Sequence, residues 1–170
     1  SDLKMWKPEN YGKKFYGPST LRVGLEKSRN LMTVRISQKL GIDKVVNFSK
    51  QLGIYDNPSE LLSISLGSAE TTLLKLTSAY SAFVNGGKLV KPVLIDRIQD
   101  SQGNTIINNQ QRQCLNCNEI SFTSNEYPEI ENNFKKVFST QTAYQVTSLL
   151  EGVILRGTGK KLKKLNLNLA

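Results

Sequence analysis

The chain contains no histidine. That absence removes Ser-His-Asp and Cys-His nucleophile activation, and every histidine-bearing zinc site, from the chemistry the chain can perform by itself. Proton transfer near neutral pH falls instead to Lys, Asp, Glu, Tyr, Cys or a relay of hydroxyls. Cysteine is nearly absent too: with only Cys114 and Cys117, a four-ligand zinc site would need carboxylates or a second chain. No apolar run approaches the roughly 18 residues of a membrane span, and the N-terminus lacks the apolar stretch of a signal peptide. The chain begins at Ser1 rather than Met and reads as an excised segment, so the missing signal does not bear on compartment. Acidic residues are the scarcer sign, 14 against 23 Lys and Arg, for a net charge of +9. This excess predicts attraction to anionic partners without choosing among nucleic acid, headgroups and acidic polymers.

What is present suits a soluble, globular piece. The chain has 170 residues, 38% hydrophobic and 22% charged, enough to bury a real core as one domain or part of one. Residues up to 18 read as an extended loop broken by Pro8, Gly12, Gly17 and Pro18. Leu21, Leu25, Leu31, Val34 and Ile36 then predict two short helices, opened by Ser19 or Thr20 and interrupted near Ser28. Asp43 is the expected N-cap of a third helix closed by Gly53, and Thr71 or Thr72 that of a fourth running to Gly86-Gly87. Val90, Val93, Ile95 and Ile98, followed by Ile106 and Ile107 across the turn at 100–104, predict a β-hairpin. Residues 108 to 138, poor in apolar anchors, read as a variable surface insertion, and a last helix is expected from Thr140 to about Leu155. The class is α+β.

Several short motifs invite chemistry. Gly152 to Lys160 departs from a phosphate loop because Gly157 is followed by Thr158 rather than Lys. The basic run Arg156, Lys160, Lys161, Lys163 and Lys164 has no interleaved aromatics for base stacking and reads as a solvated tail. Cys114 and Cys117 form a Cys-x-x-Cys pair in a loop, not at a helix start after a strand as in a thioredoxin-like site, so they are a small structural disulfide or two free thiols. Ser28-Arg29-Asn30 fits serine acyl transfer without histidine, in which a Ser hydroxyl passes a proton between a Lys base and a leaving amine while an Asn amide holds the Lys and the substrate. The competing reading makes Ser28 and Asn30 caps at a helix junction.

The surroundings of that motif carry a resemblance. Asn10-Tyr11-Gly12-Lys13-Lys14-Phe15-Tyr16-Gly17-Pro18 leads into Thr20-Leu21-Arg22 and then Leu25-Glu26-Lys27-Ser28-Arg29-Asn30-Leu31-Met32-Thr33-Val34-Arg35. Leu66-Gly67-Ser68-Ala69-Glu70-Thr71-Thr72-Leu73-Leu74, Phe83-Val84-Asn85-Gly86-Gly87, Asp96-Arg97-Ile98, Thr142-Ala143-Tyr144-Gln145, Leu150-Glu151-Gly152-Val153 and Arg156-Gly157-Thr158-Gly159 follow in order. Together these blocks closely resemble the transpeptidase region of class A, bifunctional penicillin-binding proteins.

The resemblance implies a β-lactamase-like D,D-transpeptidase fold, an antiparallel sheet with helices on both sides, of which this chain holds mainly the helical part plus a β-hairpin. It implies peptidoglycan cross-linking by the whole enzyme: a Ser-x-x-Lys serine attacks the penultimate D-Ala carbonyl of a stem peptide, releases D-Ala and passes the acyl group to an amine. Ser28 would be the proton shuttle and Asn30 the positioning amide. Expected partners are stem peptides and β-lactams, with no nucleic acid, no cofactor and no metal. Membrane contact would come only through an anchor on the parent, which would also carry a glycosyltransferase domain.

The chain departs from the family pattern in two places. Its only Ser-x-x-Lys, Ser1-Asp2-Leu3-Lys4, sits in the polar lead-in and reads as a decoy. No Lys-Thr-Gly is present, and the chain ends at Leu169-Ala170, about where that motif would begin. A partial transpeptidase domain, inactive by itself, is therefore expected. Its place would be the periplasmic, extracytoplasmic face of the bacterial cytoplasmic membrane, where oxidising conditions favour a Cys114–Cys117 bond. The rival is a non-catalytic basic module that holds peptidoglycan or another anionic polymer.

Overall fold

A computed structural model describes residues 6–109, 112–117, 127–132 and 134–165. Ser1 and Lys4 lie outside the described residues, as does part of the segment read as an insertion. Five helices appear among the described residues: α1 Leu21–Glu26, α2 Asn30–Leu40, α3 Ile42–Gln51, α4 Leu73–Val84 and α5 Thr140–Leu155. Three two-stranded antiparallel ladders join them: β1 Lys88–Leu89 with β6 Lys135–Lys136, β2 Arg97–Gln99 with β3 Thr105–Asn108, and β4 Arg112–Cys114 with β5 Ile130–Asn132.

Local chemistry sets most of these boundaries. Thr20, Thr72 and Ser139 each turn a side-chain oxygen onto a backbone N–H of the first turn of α1, α4 and α5, supplying a partner that the helix itself cannot. Asp43 does not cap α3. Gly41 both ends α2 and opens α3, because the sharp turn between them needs φ +95°, so the cap sits two residues earlier than expected and Asp43 lies in the first turn, where its charge still favours the helix dipole. The segment holding Val90, Val93 and Ile95 is irregular rather than a strand. Pro92, which has no N–H for a ladder, interrupts it, and the hairpin is confined to β2 and β3. Asp100 closes that hairpin by accepting from the backbone N–H groups of Gln102 and Asn104 at 2.9 and 2.8 Å.

The main core lies between α3 and α4. Leu52, Ala79 and Ala82 are buried there, with Ile54, Leu89, Val137 and Phe138 packed against them. Phe138 stacks on Phe83 at 5.0 Å between centroids and meets Phe48 at 6.1 Å. The last residues of the 108–138 segment are thus anchored in the core by apolar contacts that its composition did not announce.

The core is smaller than the chain length suggests. Among the described residues the buried apolar side chains are Val34, Val46, Leu52, Ile64, Ala79, Ala82 and Ala143. Leu73 and Val84 on α4 and Tyr144 on α5 stand exposed, so apolar faces of both helices remain uncovered within this chain.

Candidate functional site

The junction between α1 and α2 is a Schellman turn in which serine takes the place usually given to glycine. The Ser28 N–H donates to the Leu25 carbonyl at 3.0 Å and the Arg29 N–H to the Gly24 carbonyl at 2.8 Å, satisfying carbonyls that the end of α1 leaves open. α3 ends in the same pair of bonds, Gly53 to Lys50 and Ile54 to Ser49, with Gly53 at φ +70°. Ser28 occupies the equivalent position at φ +52°. A side chain in this left-handed conformation costs about 1–3 kcal/mol, and such strain gathers at functional sites.

The strained turn places the Ser28 side chain on the wall of a groove of about 520 Å³, lined also by Asn10, Tyr11, Gly12, Tyr16, Lys27, Arg29, Asn30 and Thr158. Ser28 is exposed and its hydroxyl makes no hydrogen bond to any described residue. Asn30 begins α2 without capping it. Its Nδ2 donates instead to the Glu9 carbonyl at 3.0 Å, tying the lead-in chain across the groove. Buried Asn10 reinforces that tie, accepting from the Leu31 N–H at 3.2 Å and donating to the Lys14 carbonyl at 2.8 Å. The capping reading thus holds for Ser28, whose backbone closes the end of α1, and fails for Asn30: Arg29 is the residue before α2, and it makes no side-chain cap bond. Its guanidinium lies over the Tyr16 ring at 3.0 Å, closing the far side of the groove.

The other wall comes from the end of α5. Arg156 grips the buried Glu26 carboxylate with Nη2 on Oε1 at 2.6 Å and Nε on Oε2 at 3.3 Å, while Arg22 approaches Oε1 at 3.5 Å. The Thr158 N–H donates to the Glu26 carbonyl at 3.1 Å, and the Lys27 ammonium donates to the Arg156 carbonyl. Arg156, and then Arg22, hold the Glu26 carboxyl below the usual carboxylate range, because their hydrogen bonds and charge outweigh the burial that opposes ionisation. Stability from this pair is fully present above the ordinary glutamate value of about 4.3 and is lost as the pH falls through the lowered native value.

Sequence reasoning passed over Glu26 and placed Arg156 at the head of a solvated basic tail, whereas Arg156 is turned inward onto the Glu26 carboxylate. The available signal was a lone Glu directly after Leu25 on a short helix with no other acid. Gly152 and Gly157, which superficially suggest a phosphate loop, have a steric purpose. A Cβ on Gly152 would lie 2.0 Å from Glu26 Oε1, and one on Gly157 2.2 Å from the Glu26 carbonyl oxygen.

The basic run continues as a 3₁₀ segment, Lys160–Leu165, with no buried residue. Cys114 and Cys117 form a disulfide with Cα atoms 5.6 Å apart, both exposed. Among the described residues no three Cys, Asp or Glu side chains converge as a metal site would require. A larger apolar groove, about 910 Å³, lies between α4 and the 89–95 segment. Within it Ser78 donates to the Val90 carbonyl and Lys75 is paired with Asp56 at 2.7 Å.

Helices packed with short antiparallel ladders make the described residues an α+β fold. The family model for the penicillin-binding protein transpeptidase domain matches residues 1–169, and the chain belongs to that family. It is 46% identical over 165 residues to penicillin-binding protein 1A of Rickettsia bellii, covering 96% of this chain and 21% of that protein. It is 35% identical over 146 residues to penicillin-binding protein 1A of Haemophilus influenzae, covering 85% and 17%. The crystal structure of the Haemophilus protein superposes with a TM-score of 0.72 at 32% identity, over 93% of this chain and 25% of that one. The D,D-transpeptidase domain of a peptidoglycan glycosyltransferase from Eggerthella lenta shares the fold, with a TM-score of 0.63 at 21% identity over 89% of this chain and 40% of that one. The chain thus spans about a fifth of the curated relatives it matches.

Proposed function

We propose that this chain is the middle of the transpeptidase domain of a penicillin-sensitive cell-wall enzyme, and that it supplies one wall of the active site. The observation that carries this reading is the presentation of the Ser28 hydroxyl and the Asn30 amide on one groove wall. In the full-length enzyme a Ser-x-x-Lys serine outside this chain attacks the penultimate D-Ala carbonyl of a stem peptide. Ser28 then relays a proton between the Lys base and the leaving amine of terminal D-Ala. Asn30 holds the Lys and the substrate backbone, and an amine of a neighbouring strand takes the acyl group. The parent carries a membrane anchor and a glycosyltransferase domain, and its transpeptidase domain works outside the cytoplasmic membrane. The 108–138 segment is a variable surface insertion up to about residue 134, where it rejoins the core through β6, Val137 and Phe138.

Labelled penicillin tests the reading. Intact-mass analysis of the full-length protein should show a single adduct, mapped to a serine outside residues 1–170, whereas the 170-residue chain alone should stay unmodified. The chain holds no Lys-Thr-Gly to bind the substrate carboxylate, and Ser1-Asp2-Leu3-Lys4 belongs to the polar lead-in rather than to an apolar helix of its own. An adduct on Ser1 would make the chain a minimal acyltransferase, and a full-length protein that takes up no penicillin would leave the non-catalytic binding module.

The disulfide belongs to the same proposal. Protein recovered from an oxidising compartment should present no free thiol after denaturation, and the Cys114→Ser, Cys117→Ser double variant should acylate at close to the parental rate. The bridge closes a short exposed loop away from the groove. A variant that loses acylation while remaining folded would place the loop in the active site.

A further inference from the structure

We propose that Glu26 is a positioning residue for Ser28, holding the strained turn at the geometry that proton relay needs, and that Arg156 holds Glu26. The proposal rests on the reading of Ser28 as the relay. Ser28 sits in a left-handed conformation directly after a helix of six residues, too short to hold its own end rigidly. The restraint comes from the end of α5. Arg156 forks onto the Glu26 carboxylate, the Thr158 N–H binds the Glu26 carbonyl, and Lys27 reaches the Arg156 carbonyl. Both residues preceding Ser28 are therefore fastened to one three-residue segment.

The fit is built rather than incidental. Glu26 is 4% exposed, and the chain keeps bare glycine at 152 and 157, where any Cβ would strike its carboxylate or its carbonyl. Arg22, the second cation on the carboxylate, is itself fixed to α5 by a hydrogen bond to the Ser148 carbonyl at 3.2 Å. Glu26 does not line the groove, so it touches no substrate and acts only through the turn. An ionised carboxylate between two guanidinium groups resists displacement better than a neutral side chain of the same shape, because its bonds are charge-assisted.

The test is a double-mutant cycle in the full-length protein, read as the rate constant for acylation at saturating labelled penicillin. Glu26→Gln keeps the shape and removes the charge. It should slow acylation per folded molecule by about tenfold, the scale of a small misplacement of a reacting group, with the non-covalent dissociation constant little changed, while the unfolding midpoint falls because a charge-assisted pair is lost. Glu26→Asp, which keeps the charge, should recover part of the rate. In a Ser28→Ala background Glu26→Gln should cause no further loss, because a residue that acts only through Ser28 has nothing left to position. Arg156→Lys, which keeps the charge but loses the fork, should give a smaller loss with the same non-additivity, and it carries the test if Glu26→Gln fails to fold. A parental rate in folded Glu26→Gln, or losses that simply add, would overturn the proposal. A parental rate in Ser28→Ala alone would overturn the relay reading instead.

Discussion

Ser28→Ala in the full-length protein is expected to slow acylation by labelled penicillin at least about 10²-fold, the scale of a positioned proton-transfer group. The variant keeps the backbone turn and removes the one hydroxyl that the α1–α2 junction presents to the groove. Alanine tolerates the left-handed conformation no better than serine does, so the fold should change little. Any loss of rate then reports the missing hydroxyl. Asn30→Ala should be comparably damaging by a different route. Asn30 Nδ2 is bound to the Glu9 carbonyl, so removing it frees the lead-in chain as well as withdrawing an amide from the groove. Acylation at the parental rate in both folded variants would remove Ser28 and Asn30 from the mechanism.

Helix positions were legible because their causes are local. Thr20, Thr72 and the Ser28 break sit in sequence beside the elements they start or stop, and the interval Thr140 to Leu155 is marked by its own apolar period. The Asp100 turn was legible for the same reason. Two departures turn on a neighbouring residue that outweighs the pattern, and a third on distant partners. Asp43 looked like a cap until the turn at Gly41 displaced it, and Val90 to Ile95 alternated like a strand although Pro92 denies it a ladder. Val137 and Phe138 fall within the segment read as a surface insertion, yet Phe138 packs against both Phe48 and Phe83.

The groove followed the same division. Ser28 and Asn30 are two residues apart, and their spacing could be read directly. The Glu26–Arg156 pair spans 130 positions and gave no local sign. Even the glycines that make room for it resembled a motif of another kind, because sequence shows the absence of a side chain without showing what occupies the space.

That space sets the largest stability effect. Gly157→Ala is expected to destabilise the transpeptidase domain by about 3 kcal/mol, the upper part of the range for forced overpacking. The added Cβ would stand 2.2 Å from the Glu26 carbonyl oxygen and 2.7 Å from the Val153 Cα and carbonyl oxygen. All three are backbone atoms of two helices, so no flexible side-chain end can swing clear. The last turns of α1 and α5 would have to part. Gly53→Ala is the control. Gly53 lies at φ +70° with nothing within 4 Å of an added Cβ, so only the conformational penalty of about 1–2 kcal/mol applies. Denaturant midpoints of the two variants should therefore rank Gly157→Ala clearly below Gly53→Ala. Only Gly157→Ala should also lose acylation rate per folded molecule, because Thr158 must then release the Glu26 carbonyl and the Ser28 turn loses one of its restraints. Equal midpoints, with acylation intact in both variants, would show that α1 and α5 are not in close contact at this point.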